Sequence, residues 1–285
     1  MYWSNFVATG RKYWLKSLAW AFTAWGLSWG LIEPLSAYQE EFFKPHRGLF
    51  FAGSIFFVVG YFFFRWSMAI VNQNKISFVL RGTTTKVLVS FGDLFDDNGH
   101  TVVSVNNFFD HQRPKVVAPL SVHGQFISRV CGDDEQRFAA HIANDKELAS
   151  TPKTLVNRAD GDRNSYPIGT TVAVSEGNYK YFLFALSNTD PKTLKATCDV
   201  PQMFVALGGL WKKVRDEANN DRIKMALIGN GNSGVGVEPM QLLRLILISI
   251  IAASRGSPIT SEIHIILNPD VADRIDLESV LKEWK

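Results

Sequence analysis

Leu227-Ile-Gly-Asn-Gly-Asn-Ser-Gly-Val-Gly236 follows an apolar run and precedes a helix expected to begin after Pro239. Its glycines, Gly229, Gly231, Gly234 and Gly236, permit positive φ and let backbone amides approach an anion closely. The helix start beyond adds amides that have no intrahelical partner. The whole segment, Gly229, Asn230, Gly231, Asn232, Ser233, Gly234, Val235 and Gly236, is therefore a candidate phosphate cradle. It is not a Walker A loop, because no Lys-Ser/Thr follows. The Gly229, Gly231, Gly234 spacing fits G-x-G-x-x-G at a strand end, but it comes too late in the domain to be the first turn of a dinucleotide fold. A glycine-rich loop is also an ordinary tight connection, so the reading depends on its surroundings.

Around this loop, short β-branched runs alternate with amphipathic stretches, which predicts a mostly parallel sheet covered by helices. Expected strands are residues 86–91, 101–105, 171–175, 179–187, 224–228 and 262–267. Expected helices are residues 124–130, 134–148, 201–219, 241–254 and 276–284. The run at 241–254 is apolar enough to suggest a membrane segment. Only ten uncharged residues separate Arg244 from Arg255, too few to cross, so it reads as a buried helix. Residues 150–166 read as an exposed loop.

The first quarter of the chain is chemically different. Of the 285 residues, the first 74 contain six basic and three acidic side chains, whereas the remainder contains 24 of each. A neutral domain lacks the basic face that counterion release rewards, so nucleic acid is excluded as a main partner. Of the 36 aromatic residues, 21 lie within the first 71 positions. Sixteen uncharged residues separate Lys16 from Glu33, and a second apolar run covers Gly48 to Val71, broken only by Arg65. Each is about as long as a bilayer core requires. The expectation is a transmembrane hairpin over residues 1–74, with helices at about 13–33 and 48–71, Arg65 reaching the interface, and a cytosolic domain over 75–285. Arg11, Lys12 and Lys16 precede the hairpin, and Arg65, Lys75, Arg81 and Lys86 follow it, so both termini are expected to be cytoplasmic. A signal peptide is disfavoured by the missing small-x-small cleavage site and by the second apolar run. The two cysteines, Cys131 and Cys198, have neither metal-ligand spacing nor a second pair, which fits a reducing compartment.

Two further stretches carry ligand chemistry. At the end of the first expected strand stands Gly92-Asp-Leu-Phe95, where Asp93, beside Leu94, could accept a hydrogen bond from an adenine amino group; a turn or N-cap aspartate is the alternative. The second is Val103-Ser-Val-Asn-Asn107, whose Asn106 and Asn107 could pair with sugar hydroxyls or simply form a turn.

In order and placement these three elements resemble the macro domain, the ADP-ribose-binding module. The resemblance covers most of residues 86–270 with divergent spacing, and implies an α/β macro-domain-like fold of three α/β/α layers. By that resemblance Asp93 holds adenine and the glycine loop holds the pyrophosphate. The glycine-rich run that wraps the distal ribose in ADP-ribosyl hydrolases is missing. Asp110 to Phe126 stands there instead, with Ser121, His123, Gly124 and Gln125 before a helix; Tyr166-Pro-Ile-Gly-Thr-Thr171, with Gly169 and Thr170, adds a further polar rim. Together with the two-helix anchor, the Ser-Val-His-Gly-Gln-Phe and Tyr-Pro-Ile-Gly-Thr motifs resemble the membrane effector of the macro-type Thoeris antiphage systems. That resemblance implies a non-enzymatic protein of the bacterial inner membrane without a cofactor. Its ligand would be an ADP-ribose derivative, histidine-ADP-ribose, made by a partner TIR-domain enzyme that consumes NAD. Ligand binding would drive homo-oligomer assembly and damage membrane lipid. The alternative is a membrane-anchored ADP-ribosyl hydrolase with His123 or Asp110 as base.

Overall fold

The computed structural model describes residues 2–72, 75–231 and 234–285, with the side chains of 2–12 and 69–72 left aside. The chain divides into two compact units, residues 1–74 and 75–285.

The first unit is a helical hairpin of α1 (Tyr2–Tyr38) and α2 (Glu40–Asn72). The segment 33–47, expected as a loop, is helical except at Gln39, and the helices run through Pro34 and Pro45. Among the described residues one helix, Glu40–Met68, is long and apolar enough to cross a membrane, and no residue of its most apolar stretch is buried. The first expected span falls short of the same test. Its bulk comes from tryptophan, whose indole N–H lowers its hydropathy, and Ser17, Thr23 and Ser28 dilute the rest. Arg65 does not simply run out to an interface, since its guanidinium lies 5.4 Å from the ring centroid of Trp20, a cation–π arrangement that gives the charge a partner within the unit.

In the second unit seven strands form one path: β1 (Lys75–Val79), β2 (Lys86–Phe91), β10 (Glu262–Leu267), β9 (Ile223–Ala226), β3 (His100–Asn106), β7 (Tyr179–Thr189) and β6 (Thr171–Glu176). The five from β2 to β7 are parallel, and β1 and β6 close the edges antiparallel. Two-residue pieces complete the pairing: β8 (Ala196–Thr197) on β7, and β4 (Thr154–Leu155) with β5 (Asn164–Ser165).

The parallel strands are covered on both faces, as their near-continuous apolar sequences demand. On one face Val87, Val89, Phe182, Phe184, Ile263 and Ile265 pack beneath α6 (Val200–Glu217), α7 (Pro239–Ser254) and α8 (Leu277–Trp284). On the other, Val103, Val105, Leu183 and Ala185 meet α3 (Val122–Arg129), α4 (Glu135–Ala143) and α5 (Lys146–Ser150). The alternation along β7 assigns even positions to one layer and odd positions to the other. The expected buried helix is α7, with Leu242, Leu243, Ile246, Leu247 and Ile250 inside the core. The Trp211 indole N–H donates to Ser249 Oγ at 3.0 Å, joining α6 to α7.

Two expectations are corrected. The helix foreseen over 134–148 is broken at Asn144, because Asp145 accepts from the Leu148 amide and starts α5. The segment 150–166 is not wholly exposed. Arg158 is fully buried there, paired with Asp110 at 3.0 Å and lying 4.2 Å from the Phe108 ring centroid. Asn106 Nδ2 and the Asp162 amide also donate to the Asp110 carboxylate, so this pair has the extra hydrogen bonds that a buried ion pair needs.

A pair of adjacent glycines in α6 tests the packing. A Cβ at Gly209 would run into the Gly169 carbonyl oxygen, whereas one at Gly208 meets nothing within 4 Å. Gly209→Ala is expected to lower stability by about 1–3 kcal/mol through overpacking. Gly208→Ala should raise it by up to about 1 kcal/mol through helix propensity. Urea denaturation of the two variants checks both signs.

Candidate functional site

Parallel strands release their loops at one edge of the sheet, and the C-terminal edge carries a crevice here. Its volume is about 500 Å³, within the range of small-molecule sites. The ends of β3 (Ser104, Val105, Asn106), β7 (Leu186, Ser187) and β9 (Ala226, Leu227, Ile228) line it, as do Gly229, Asn230 and Gly231 of the glycine loop and Asn268 beyond β10. The pairing of β3 with β7 slips by one residue between Val105 and Asn106, a bulge that sits at this edge. Bulges re-aim side chains beside functional sites, and both sides of this slip contribute to the lining.

The glycine loop owes its shape to backbone constraints. Gly229 has φ +82°, and a Cβ there would strike the Val235 side chain. The Val235 amide donates to Gly229 O at 3.0 Å, and the Gly234 amide donates to Gly231 O at 2.9 Å. The loop thus curls back on itself, with Val235 buried as its inner plug. Gly229, Asn230 and Gly231 reach the crevice, whereas Gly234, Val235 and Gly236 are not among its described lining residues. Asn232 and Ser233 lie outside the described residues.

The N-terminal turn of α3 lines the same space through Ser121, Val122, His123 and Gln125. Ser121 Oγ accepts from the Gly124 amide at 3.0 Å and caps the helix. Gly124 is required, because a Cβ would collide with the carbonyl oxygens of Ala118 and Pro119. Gln125 Nε2 donates to Leu120 O. His123 is 6% exposed, its ring centroid lies 5.0 Å from that of Phe138, and its Nε2 is buried without a hydrogen-bond partner. Burial, aided by the charges of His111 and Arg113, pushes its imidazole down to about 3, so it is neutral at physiological pH. A buried polar atom without a hydrogen-bond partner is unusual, and this one belongs to a residue of the crevice lining.

The other expected site residues are placed differently. Asp93 is absent from the described lining. Its carboxylate is held by Arg129 at 2.7 and 2.8 Å and accepts from the Phe95 amide at 2.8 Å. Partial burial opposes its charge, but the Phe95 amide and Arg129 outweigh it and hold the carboxyl below the usual range. Leu94 is buried beside it. Asn106 reaches the crevice, yet its Oδ1 accepts from the amides of Phe108 and Asp110 and its Nδ2 is bonded to Asp110. Asn107 is occupied in the interior, donating to Ser165 Oγ and accepting from the Thr189 amide. Gly169, at φ +88°, packs against the Val205 carbonyl of α6, and Thr170 exchanges backbone bonds with Pro167 and Ala185. Neither is among the described lining residues. Ser104, Ser187, Leu194, Lys195, Ala196 and Asn268 line the crevice without having been expected. Of these only Asn268 follows directly on a strand, and the others gave no signal in the sequence.

Residues 87–268 match the family described as Thoeris protein ThsA, Macro domain. Solved structures with a similar fold include the Oceanobacillus iheyensis macrodomain with MES bound, at 10% identity and a TM-score of 0.48, covering 73% of this chain and 98% of that one. The same organism's macrodomain with ADP gives 11% identity and a TM-score of 0.48, covering 73% of this chain and 97% of that one. A comparison with curated proteins found no match.

The orphaned histidine has a measurable signature. Its folded pKa lies below the unfolded value, so the unfolded chain binds the extra proton between about pH 6.5 and 3. Its contribution is complete above pH 6.5 and is lost as pH falls through that window, by up to about 1.4 kcal/mol per pH unit. His123→Gln is expected to flatten the fall in stability between pH 6.5 and 5, measured by urea midpoints across that range.

Proposed function

Because the chain belongs to the family of the Thoeris ThsA macro domain, we propose that it is a membrane-anchored effector of antiphage defence whose macro domain receives an ADP-ribose-derived signal. The observation that carries this reading is the meeting, in one crevice, of the Gly229–Gly231 backbone and the first turn of α3. Both are amide-rich elements suited to a pyrophosphate, and the helix dipole favours the same negative charge. His123 lines the same crevice, and its Nε2, buried without a partner, would gain one by turning toward a ligand hydroxyl or phosphate oxygen.

The signal is histidine-ADP-ribose made by a partner TIR enzyme from NAD. The protein is a receptor and not a hydrolase. Asp110, the carboxylate best placed by sequence to act as a base, is consumed in a buried pair with Arg158, and among the described residues no carboxylate is bonded to His123 Nε2 to orient the ring as one. Signal output passes to the hairpin, where Glu40–Met68 exposes Phe51, Phe56, Phe57, Phe63 and Phe64 to lipid and α1 supplies a second span with both termini cytoplasmic. A ligand drives assembly only by binding the assembled state more tightly, so the crevice must differ between the two states.

The test is reconstitution of the full chain into dye-loaded vesicles. Histidine-ADP-ribose is expected to release dye and to increase particle size, and to be recovered intact. Gly231→Glu should abolish binding by filling the cradle with a carboxylate, whereas Phe57→Asp should abolish dye release with binding retained. Turnover of ADP-ribosylated substrate at enzyme-like rates would overturn the receptor reading.

A further inference from the structure

The crevice does not stop at the glycine loop. Two strand positions further along the edge, from β9 across β3 to β7, it is bounded by the tight connection between β7 and β8, through Leu194, Lys195 and Ala196. At the usual interstrand spacing that is about 10 Å from the cradle. The connection is rigidly built. Asp190 Oδ1 accepts from the amides of Lys192 and Thr193 and from the Thr193 hydroxyl, and the backbone closes between Asp190 and Lys195.

Two features of this turn face the crevice. Leu194 adopts φ +59°, a left-handed conformation that costs a branched-chain residue free energy and that glycine or asparagine would adopt more easily. Lys195 is exposed on the crevice, and among the described residues its ammonium has no ion-pair or hydrogen-bond partner. Residues held in sparsely populated backbone regions cluster at ligand sites.

We propose that Leu194 and Lys195 form an end subsite that recognises an anionic group, carboxylate or phosphate, attached to the far end of a ligand whose pyrophosphate occupies the glycine loop. The subsite rests on the ADP-ribose reading given above. Leu194 covers the apolar body of the terminal group, and Lys195 pairs with its charge. A ligand ending at the ribose leaves the subsite empty and gains nothing from it.

Calorimetry on the full chain in detergent, with four probes, tests this. The probes are ADP-ribose, histidine-ADP-ribose, histamine-ADP-ribose, which lacks the carboxylate, and ADP-ribose 1″-phosphate. Lys195→Ala is expected to weaken the carboxylate-bearing or the phosphate-bearing probe by about tenfold, the scale of one charge-assisted contact. ADP-ribose and the histamine conjugate should be unchanged, and Lys195→Arg should restore most of the loss. Leu194→Gly should melt at or above the wild-type temperature yet bind the same anionic probe less tightly. Equal weakening of all four probes, or no weakening, overturns the subsite alone. If the wild type binds none of the four, the ADP-ribose reading falls and the subsite with it.

Discussion

Five strands running in one direction must all end at the same edge of their sheet, and this constraint positions every group discussed above. The pairing of β2, β10, β9, β3 and β7 brings together residues far apart in sequence: Asn106, Ser187, Gly229 and Asn268 become neighbours because their strands do. Burial on both faces holds the strands in register, since a slip of one residue would turn Phe182 and Phe184 into the layer made for Leu183 and Ala185. Among the described strand pairs the register shifts beside Asn106, at the crevice itself.

Given that edge, the chemistry of the site is mostly backbone. Gly229 and Gly124 each stand where a side chain would collide with the protein's own atoms, so the glycine loop and the first turn of α3 can pack closely at this edge. Polar side chains at the same edge divide into two groups. Asn107 and Asp110 are consumed in holding the loops, whereas among the described residues His123 Nε2 and the Lys195 ammonium have no hydrogen-bond partner, and both residues belong to the crevice lining. A buried network that is already satisfied rigidifies; an unsatisfied group waits for a partner.

Much of the fold was legible because its elements are simple. The strands Lys86–Phe91 and Glu262–Leu267 coincide with the residues expected, since they are fully covered apolar runs bounded by polar turns. β1 was missed: five residues following the hairpin, alternating buried and exposed, are too short to stand out. The glycine loop could be read because glycine is demanded by geometry. The fates of Asp93 and Asn107 could not, because a side chain's type does not say whether Arg129 or Ser165 reaches it first. Lys195 was invisible for the converse reason, being one lysine among many until the β7–β8 turn placed it at the crevice. The hairpin's two apolar runs were legible, but one of them meets the hydropathy of a membrane span, because tryptophan fills space without being strongly apolar.

The central claim is that the strand-end crevice of the macro domain is the signal receptor. Amide hydrogen exchange of the full chain, with and without histidine-ADP-ribose, tests it most directly. The account predicts slowed exchange at residues 227–231, 121–125 and 186–196, three segments that adjoin only at this edge. Slowing elsewhere in the domain with these three segments unchanged would contradict it.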